Sequence, residues 1–254
     1  MSNYEYEGVA ISMPGRIDTK AGIAYTGGSF QWLHDYPAAE RYGAVFAKPC
    51  TIANDGKCAA LAESWRGALS DVDSGAVIVL GTGIGGGIVI NNEVWMGATG
   101  GAGELSTFPC SFDGFRETID FTHGMDNIWA GRVSAGSIVG KYGYLKALGQ
   151  VDGVRLFDDY AAGDPVAKEV IDEFAFQMAV GIFGIQCVLD LPRYAIGGGI
   201  SARPETTEVI RNAVTDLFTT QVLVPFGIPE IVTCTFGNET NLIGALAFHL
   251  RNQS

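Results

Sequence analysis

Leu80-Gly-Thr-Gly-Ile-Gly-Gly-Gly-Ile88 joins two β-branched runs, Ala76 to Leu80 and Gly87 to Ile90. Glycines let backbone N–H groups approach an anion without side-chain obstruction, and Thr82 adds a hydroxyl. A P-loop would end in Gly-Lys-Ser/Thr, and a dinucleotide-binding turn would run into a helix; here a second strand follows. Two readings stand: a β-hairpin turn around phosphate, or a purely structural glycine-rich hairpin.

Downstream, Ile196-Gly-Gly-Gly-Ile200-Ser201 repeats the theme of strand then glycines, with a helix after it. It is either a surface on which adenine or ribose lies flat, or a tight strand-to-helix turn. Upstream, the apolar run Pro49 to Ala53 reads as a strand delivering Asn54-Asp55 to a helix through about Leu69. Aspartate at a helix start is commonly a cap. Negative charge is also favoured at that end of a helix, where a carboxylate can take a proton from a hydroxyl. In Gly100-Gly-Ala-Gly-Glu104, one acidic residue follows four small ones in a loop. It is a solvated glutamate or an acceptor for sugar hydroxyls.

Strands and helices alternate through the chain, which predicts an α/β architecture. Gly8 to Met13 reads as a strand ended by Pro14-Gly15, and a second strand and turn run through Gly22 to Gly28. A helix is expected around Pro37 to Tyr42. The polar stretch Ser70 to Gly75 marks a boundary, Gly97 to Gly124 reads as loops, and helices resume over Ser134 to Leu148. Asp164-Pro165, a cap followed by proline at N1, opens a helix to Leu189. Strand Tyr194 to Ile196, helix Glu205 to Thr219, strand Glu230 to Thr235 and helix Thr240 to Leu250 complete the pattern.

Composition narrows the function classes. With 254 residues, 47% hydrophobic and 17% charged, the chain can bury one large core or two modest ones. A formal net charge of -12 disfavours nucleic acid and anionic membrane surfaces as partners. It does not exclude a nucleotide, because backbone N–H groups and Mg²⁺ offset phosphate charge. The five cysteines contain no C-x-x-C pair, which suggests reduced thiols in a cytoplasmic protein. The start lacks the pattern of a secretory signal, and Phe174 to Leu191, interrupted by Gln177, Gln186 and Asp190, reads as a buried helix.

Taken in order, Ile11-Ser-Met-Pro-Gly15, Ile52-Ala-Asn-Asp-Gly-Lys-Cys-Ala-Ala-Leu-Ala-Glu63, Leu80 to Gly87, Gly101-Ala-Gly-Glu104 and Ile196 to Ser201 resemble the ROK family of sugar kinases and related repressors. The order and spacing match over nearly the whole chain. The resemblance implies a two-lobed actin-like ATPase fold of ribonuclease-H-like lobes. Residues 1–74 would form the N-terminal lobe, completed by the helix over 240–254, and residues 75–239 the C-terminal lobe. It also implies ATP and Mg²⁺ as cofactors, a small-molecule sugar as substrate and a homodimer.

Carried over by motif, Asp55 is the catalytic base, and Asn54 and Glu104 are sugar contacts. Gly81, Thr82, Gly83 and Gly85 belong to a phosphate segment, and Gly197, Gly198 and Gly199 to the adenosine segment. Thr26-Gly-Gly-Ser29, with Gly28, lies where the family contacts sugar. The expected activity is glucokinase-like phosphorylation of the 6-hydroxyl of a hexose or amino sugar. Alternatives are a non-catalytic sugar- or nucleotide-binding remnant, or a regulator lacking its DNA-binding domain.

Three departures accompany the resemblance. Nothing matches the family's opening Asp-x-Gly-Gly-Thr hairpin, so the expectation is an incomplete N-terminal lobe, as in a shortened product or a remnant. Leu105-Ser106-Thr107 follows Glu104 in place of the family's histidine, and Cys110 and His123 alone lie nearby, so no structural zinc is expected. The later sugar-binding glutamate falls near Ala130, with His123, Asp126 and Asn127 as candidate substitutes.

Overall fold

The computed structural model describes residues 5–28, 30, 32–112, 116, 119, 123–221, 223 and 225–253. In chain order the strands and helices are β1 (Val9–Met13), β2 (Ile17–Asp18), β3 (Ile23–Thr26), β4 (His34–Tyr36), α1 (Ala38–Phe46), β5 (Cys50–Asn54) and α2 (Asp55–Arg66). They continue with β6 (Gly75–Leu80), β7 (Ile84–Ile90), β8 (Glu93–Val94), α3 (Trp129–Val133), α4 (Ala135–Leu145), α5 (Gly153–Ala161) and α6 (Pro165–Leu189). The last are β9 (Arg193–Gly197), α7 (Pro204–Asp216), β10 (Glu230–Thr233) and α8 (Thr240–Gln253).

The larger sheet has the order β10-β9-β6-β7-β8, in which β10, β9 and β6 are parallel and β7 and β8 antiparallel. β6 is covered on both faces, which is why it reads as an unbroken apolar run. Ala76, Ile78 and Leu80 point into a core with Trp129, Tyr142, Phe174 and Ile196. Val77 points the other way, against Ala59 and Ala60 of α2. Earlier in the chain, β1 pairs in parallel with β5, Ile11 opposite Ile52, and β2-β3-β4 form an antiparallel meander. Met13, Ile17, Ala24, Ala38 and Ile52 fill the space between these strands and α1.

Helix α2 is the hub. It packs on β7 on one side and on α8 on the other, and α8 also covers β1 and β5. Both contacts bring backbone against backbone. A Cβ at Gly56 would stand 2.5 Å from Gly86 N, one at Gly87 2.5 Å from the Ala60 Cβ, and one at Gly244 of α8 only 1.7 Å from Cys58 O. Glycines 85–87 therefore lie inside β7, which begins at Ile84 and not at Gly87 as the sequence pattern suggested. At Gly86 and Gly87 the missing side chains admit neighbours: the Leu105 side chain at Gly86 and α2 at Gly87.

The far end of α2 stops at Arg66, short of Leu69, because Glu63 captures the chain beyond it. The fully buried Glu63 carboxyl oxygens accept from Ala68 N at 2.7 Å and Thr235 N at 3.0 Å, tying α2 to the segment after β10. Glu63→Gln keeps one acceptor and turns an amide N–H₂ toward backbone donors. The expected loss is about 2 kcal/mol of unfolding free energy in a denaturant titration.

Helix α6 matches its sequence expectation from the Asp164 cap, which accepts from Val166 N and Ala167 N, to Leu189. By length and composition it is apolar enough to cross a membrane, yet much of it packs inside the larger core. Its buried Gln186 is satisfied by both the N–H and the carbonyl of Leu191 and by the Tyr194 hydroxyl. Helix α7 ends at Asp216, earlier than expected. Thr219 and Thr220 hydroxyls then bond to carbonyls four residues back through a widened turn over Leu217–Gln221. Helices α3 and α5 were not expected from sequence; both are short.

Candidate active site

A cavity of about 750 Å³ opens where the Pro14-Gly15 turn, the start of α2, the β6–β7 turn, the loop before Glu104 and the turn after β9 converge. Asp55, Glu104, Gly28, Gly81, Thr82, Gly83, Gly85, Gly197, Gly198 and Gly199, each singled out from sequence, lie on its wall. They come from segments as far as 171 positions apart, from Gly28 to Gly199.

Asp55 is the first residue of α2, delivered by the register-paired end of β5, where Met13 stands opposite Asn54. Its Oδ1 accepts from the Gly56 N–H at 2.8 Å, which fixes the carboxyl at the helix mouth. Behind it, burial pushes the Cys58 thiol up to about 12, leaving a neutral, inert neighbour. Glycine at 56 is required by the close approach of β7.

Asn54, the other sugar contact expected at this junction, is 6% exposed. Its Oδ1 caps α2 by accepting from Lys57 N at 3.1 Å, and its Nδ2 donates to Gly15 O at 2.9 Å. It braces the wall by locking the Pro14-Gly15 turn to the helix start. That turn in turn lies against Gly28, and Thr26 Oγ1 accepts from Arg16 N at 3.0 Å. Ser29, at the end of the same expected segment, lies outside the described residues.

Glu104 is held by a residue that sequence reasoning passed over. Lys57 Nζ donates to Glu104 Oε1 at 2.9 Å, with the lysine side chain 3% exposed and the glutamate 46%. The signal was a lone cation inside the small apolar run of α2; a buried ammonium needs a partner. One carboxyl oxygen of Glu104 is thereby occupied and the side chain oriented, while the rest of the group faces the cavity. Ser106 Oγ donates to Ile84 O and pins the following turn to β7.

The opposite wall is glycine backbone. A Cβ added at Gly83, Gly199 or Gly237 would meet nothing within 4 Å, so these positions leave the cavity open where a side chain would fill it. The Gly81 carbonyl accepts from Ala135 N at 3.0 Å, tying the β6–β7 turn to the start of α4. Thr82 is exposed at the tip. At Gly198, φ is +96° and a Cβ would lie 2.2 Å from Leu80 O, so that turn admits only glycine. Cys234, Asn238, Thr240 and Asn241 also line this end and carried no signal in the sequence. Burial pushes the Cys234 thiol well up, so it serves as an apolar filler.

The substitutes considered for a late sugar contact are elsewhere. His123 is exposed and off the cavity wall. Asp126 and Asn127 sit in a short 3₁₀ turn whose carbonyls serve Arg132 Nε and Cys110 N. The residues present fit a nucleotide: open glycine turns of two consecutive strand units face a carboxylate at a helix start. Asp55 and Glu104 are the acidic side chains on the described wall, and Mg²⁺ commonly needs only one or two carboxylates beside phosphate oxygens.

A sequence profile described as the ROK family matches residues 2–252. A beta-glucoside kinase of Listeria innocua is 30% identical over 258 residues, covering 99% of this chain and 82% of the relative. A glucokinase of Halalkalibacterium halodurans is 28% identical, covering 93% and 74%. A ROK family protein of Streptococcus pneumoniae, solved in complex with sucrose, superposes with a TM-score of 0.85 at 26% identity over 99% of this chain and 82% of that one. The α/β architecture is thus that of the actin-like ATPases.

Proposed function

This chain belongs to the ROK family, and from that premise we propose that it is a sugar kinase transferring the γ-phosphoryl group of MgATP to the 6-hydroxyl of a hexose, an amino sugar or a glucoside. The observation that carries the reading is the convergence of Asp55, Glu104 and the glycine turns 81–85 and 197–199 on one cavity. Likeness to a beta-glucoside kinase and a glucokinase supports the same substrate class. ATP occurs in the cytoplasm, which is where this reading places the protein.

Asp55 accepts the proton of the attacking hydroxyl as its oxygen forms the bond to phosphorus and the bond to the β-phosphate oxygen breaks. The proton then passes to solvent. Backbone N–H groups of Thr82 and Gly83 stabilise charge on the phosphates, in a turn closed by the Gly81 N–H donating to Gly83 O at 3.0 Å, and Gly197 to Gly199 give a flat surface for the nucleoside. Bound MgATP supplies the phosphoryl group and a cation that offsets its charge. Glu104, oriented by Lys57, accepts from sugar hydroxyls remote from the reacting one. Positioning and charge stabilisation carry most of the catalysis in phosphoryl transfer.

A coupled assay for ADP, with glucose, N-acetylglucosamine and β-glucosides as acceptors, tests the reading on the full product of the reading frame. Sugar-dependent ADP formation is expected. Sugar binding with no ADP formed would point instead to a non-catalytic binding protein. Lys57→Met, which keeps the buried volume but frees Glu104, is expected to raise the sugar KM roughly tenfold with kcat little changed, about 1.4 kcal/mol of lost binding. Steady-state kinetics at saturating ATP check this.

A further inference from the structure

A second cavity, of about 650 Å³, adjoins the first. Arg16 lines both, and the loop leading to Glu104 passes between them, with Gly100 on the second cavity and Gly101 on the first. The second cavity therefore meets the first at the Glu104 end, away from the 197–199 turn. One wall is the β2–β3 hairpin and the other is the loop from Val94 to Gly100.

Both walls are built before any ligand arrives. Asp18 Oδ1 accepts from Lys20 N at 3.0 Å and Ala21 N at 2.9 Å, and the Tyr25 hydroxyl reaches Asp18 Oδ2 at 3.4 Å. The Arg16 guanidinium lies 4.7 Å from the centre of the Tyr25 ring. Across from them, the Trp95 backbone N–H donates to Ile88 O at 2.7 Å, and the residue remains 55% exposed on the cavity. The site thus offers a broad aromatic face together with a guanidinium, a carboxyl and a phenol.

This combination suits a sugar ring. The C–H face of a pyranose packs on an aromatic plane, and convergent polar groups take its hydroxyls. The charged side chains of the lining are Arg16, Lys20 and Asp18, with Asp18 already accepting from two backbone N–H groups and Arg16 stacked on the Tyr25 ring. We propose that this cavity is a subsite for a second glycosyl unit seated on Trp95, so that the acceptor is a disaccharide or comparable glycoside rather than a free hexose. The proposal rests on the sugar-kinase reading of the first cavity and adds where the far part of the substrate lies.

The test compares cellobiose, a β-linked glucose disaccharide, with glucose in the ADP assay, using the full protein, Trp95→Ala and Trp95→Phe. Cellobiose binding to each is also measured by calorimetry without ATP. Expected are a kcat/KM for cellobiose at least roughly tenfold above that for glucose, a fall of about tenfold for cellobiose alone in Trp95→Ala, and retention of most of the preference in Trp95→Phe. Preference for glucose, or an equal fall for both sugars in Trp95→Ala, overturns the subsite and leaves the kinase reading intact. If neither sugar is phosphorylated, the kinase reading fails; Trp95-dependent binding of cellobiose would still support the subsite, and absence of binding would overturn both.

Discussion

Asp55→Asn is expected to lower kcat by at least about 100-fold, equivalent to about 2.7 kcal/mol of transition-state stabilisation, with the sugar KM changed little. The substitution is nearly isosteric. An amide oxygen can still accept from the Gly56 N–H, so the start of α2 keeps its geometry, while the group that takes the hydroxyl proton is lost. Cavity shape, the glycine turns and the Lys57–Glu104 pair remain as they were. Steady-state kinetics paired with calorimetric sugar binding separate the effects: binding should persist where turnover does not. Unchanged kcat would remove Asp55 from the role of base.

Gly244→Ala is expected to have the largest effect on stability. Its Cβ would stand 1.7 Å from Cys58 O and 2.7 Å from the Cys58 Cα, both backbone atoms in the middle of α2. No rotamer relieves such a contact, so α8 must withdraw from α2. Helix α2 cannot follow, because on its other side Gly56 is already against Gly86 backbone. Separating the helices uncovers Ala53, Cys58 and Ala245. A loss of about 3 kcal/mol is expected, which for a chain of this size lowers the unfolding midpoint by roughly 10 °C. Differential scanning calorimetry reads it directly. Because α2 carries Asp55 at its first residue, activity should fall as well, and Gly244→Ala should differ from Asp55→Asn in losing both.

The elements most legible in the sequence are those where one signal dominates. Asp164-Pro165 marks the start of α6, and the apolar run Ala76 to Leu80 marks a strand covered on both faces. Strand-then-glycine patterns located both turns that face the cavity, and Asn54-Asp55 marked the junction that carries the carboxylate. What escaped depends on contacts between distant segments. Gly86 looked like part of a turn because nothing local distinguishes a glycine that frees backbone for an anion from one that lets a side chain, here Leu105, approach a strand. The bracing role of Asn54 escaped because its hydrogen bond to Gly15, 39 positions away, has no trace in either segment. Lys57 was visible as a cation in an apolar run, but its partner Glu104 is 47 positions away. His123 was named for its nearness in sequence to Ala130, where the family's later glutamate would fall, and it lies off the cavity wall.

Phosphorus NMR of a reaction containing the protein, MgATP and a sugar acceptor follows the transferred group itself. A sugar phosphomonoester signal that grows in step with ADP, requires the sugar and nearly vanishes in Asp55→Asn is the expected result. ADP accompanied only by inorganic phosphate, or an ester formed equally well by Asp55→Asn, would contradict the assignment of this cavity and its aspartate to sugar phosphorylation.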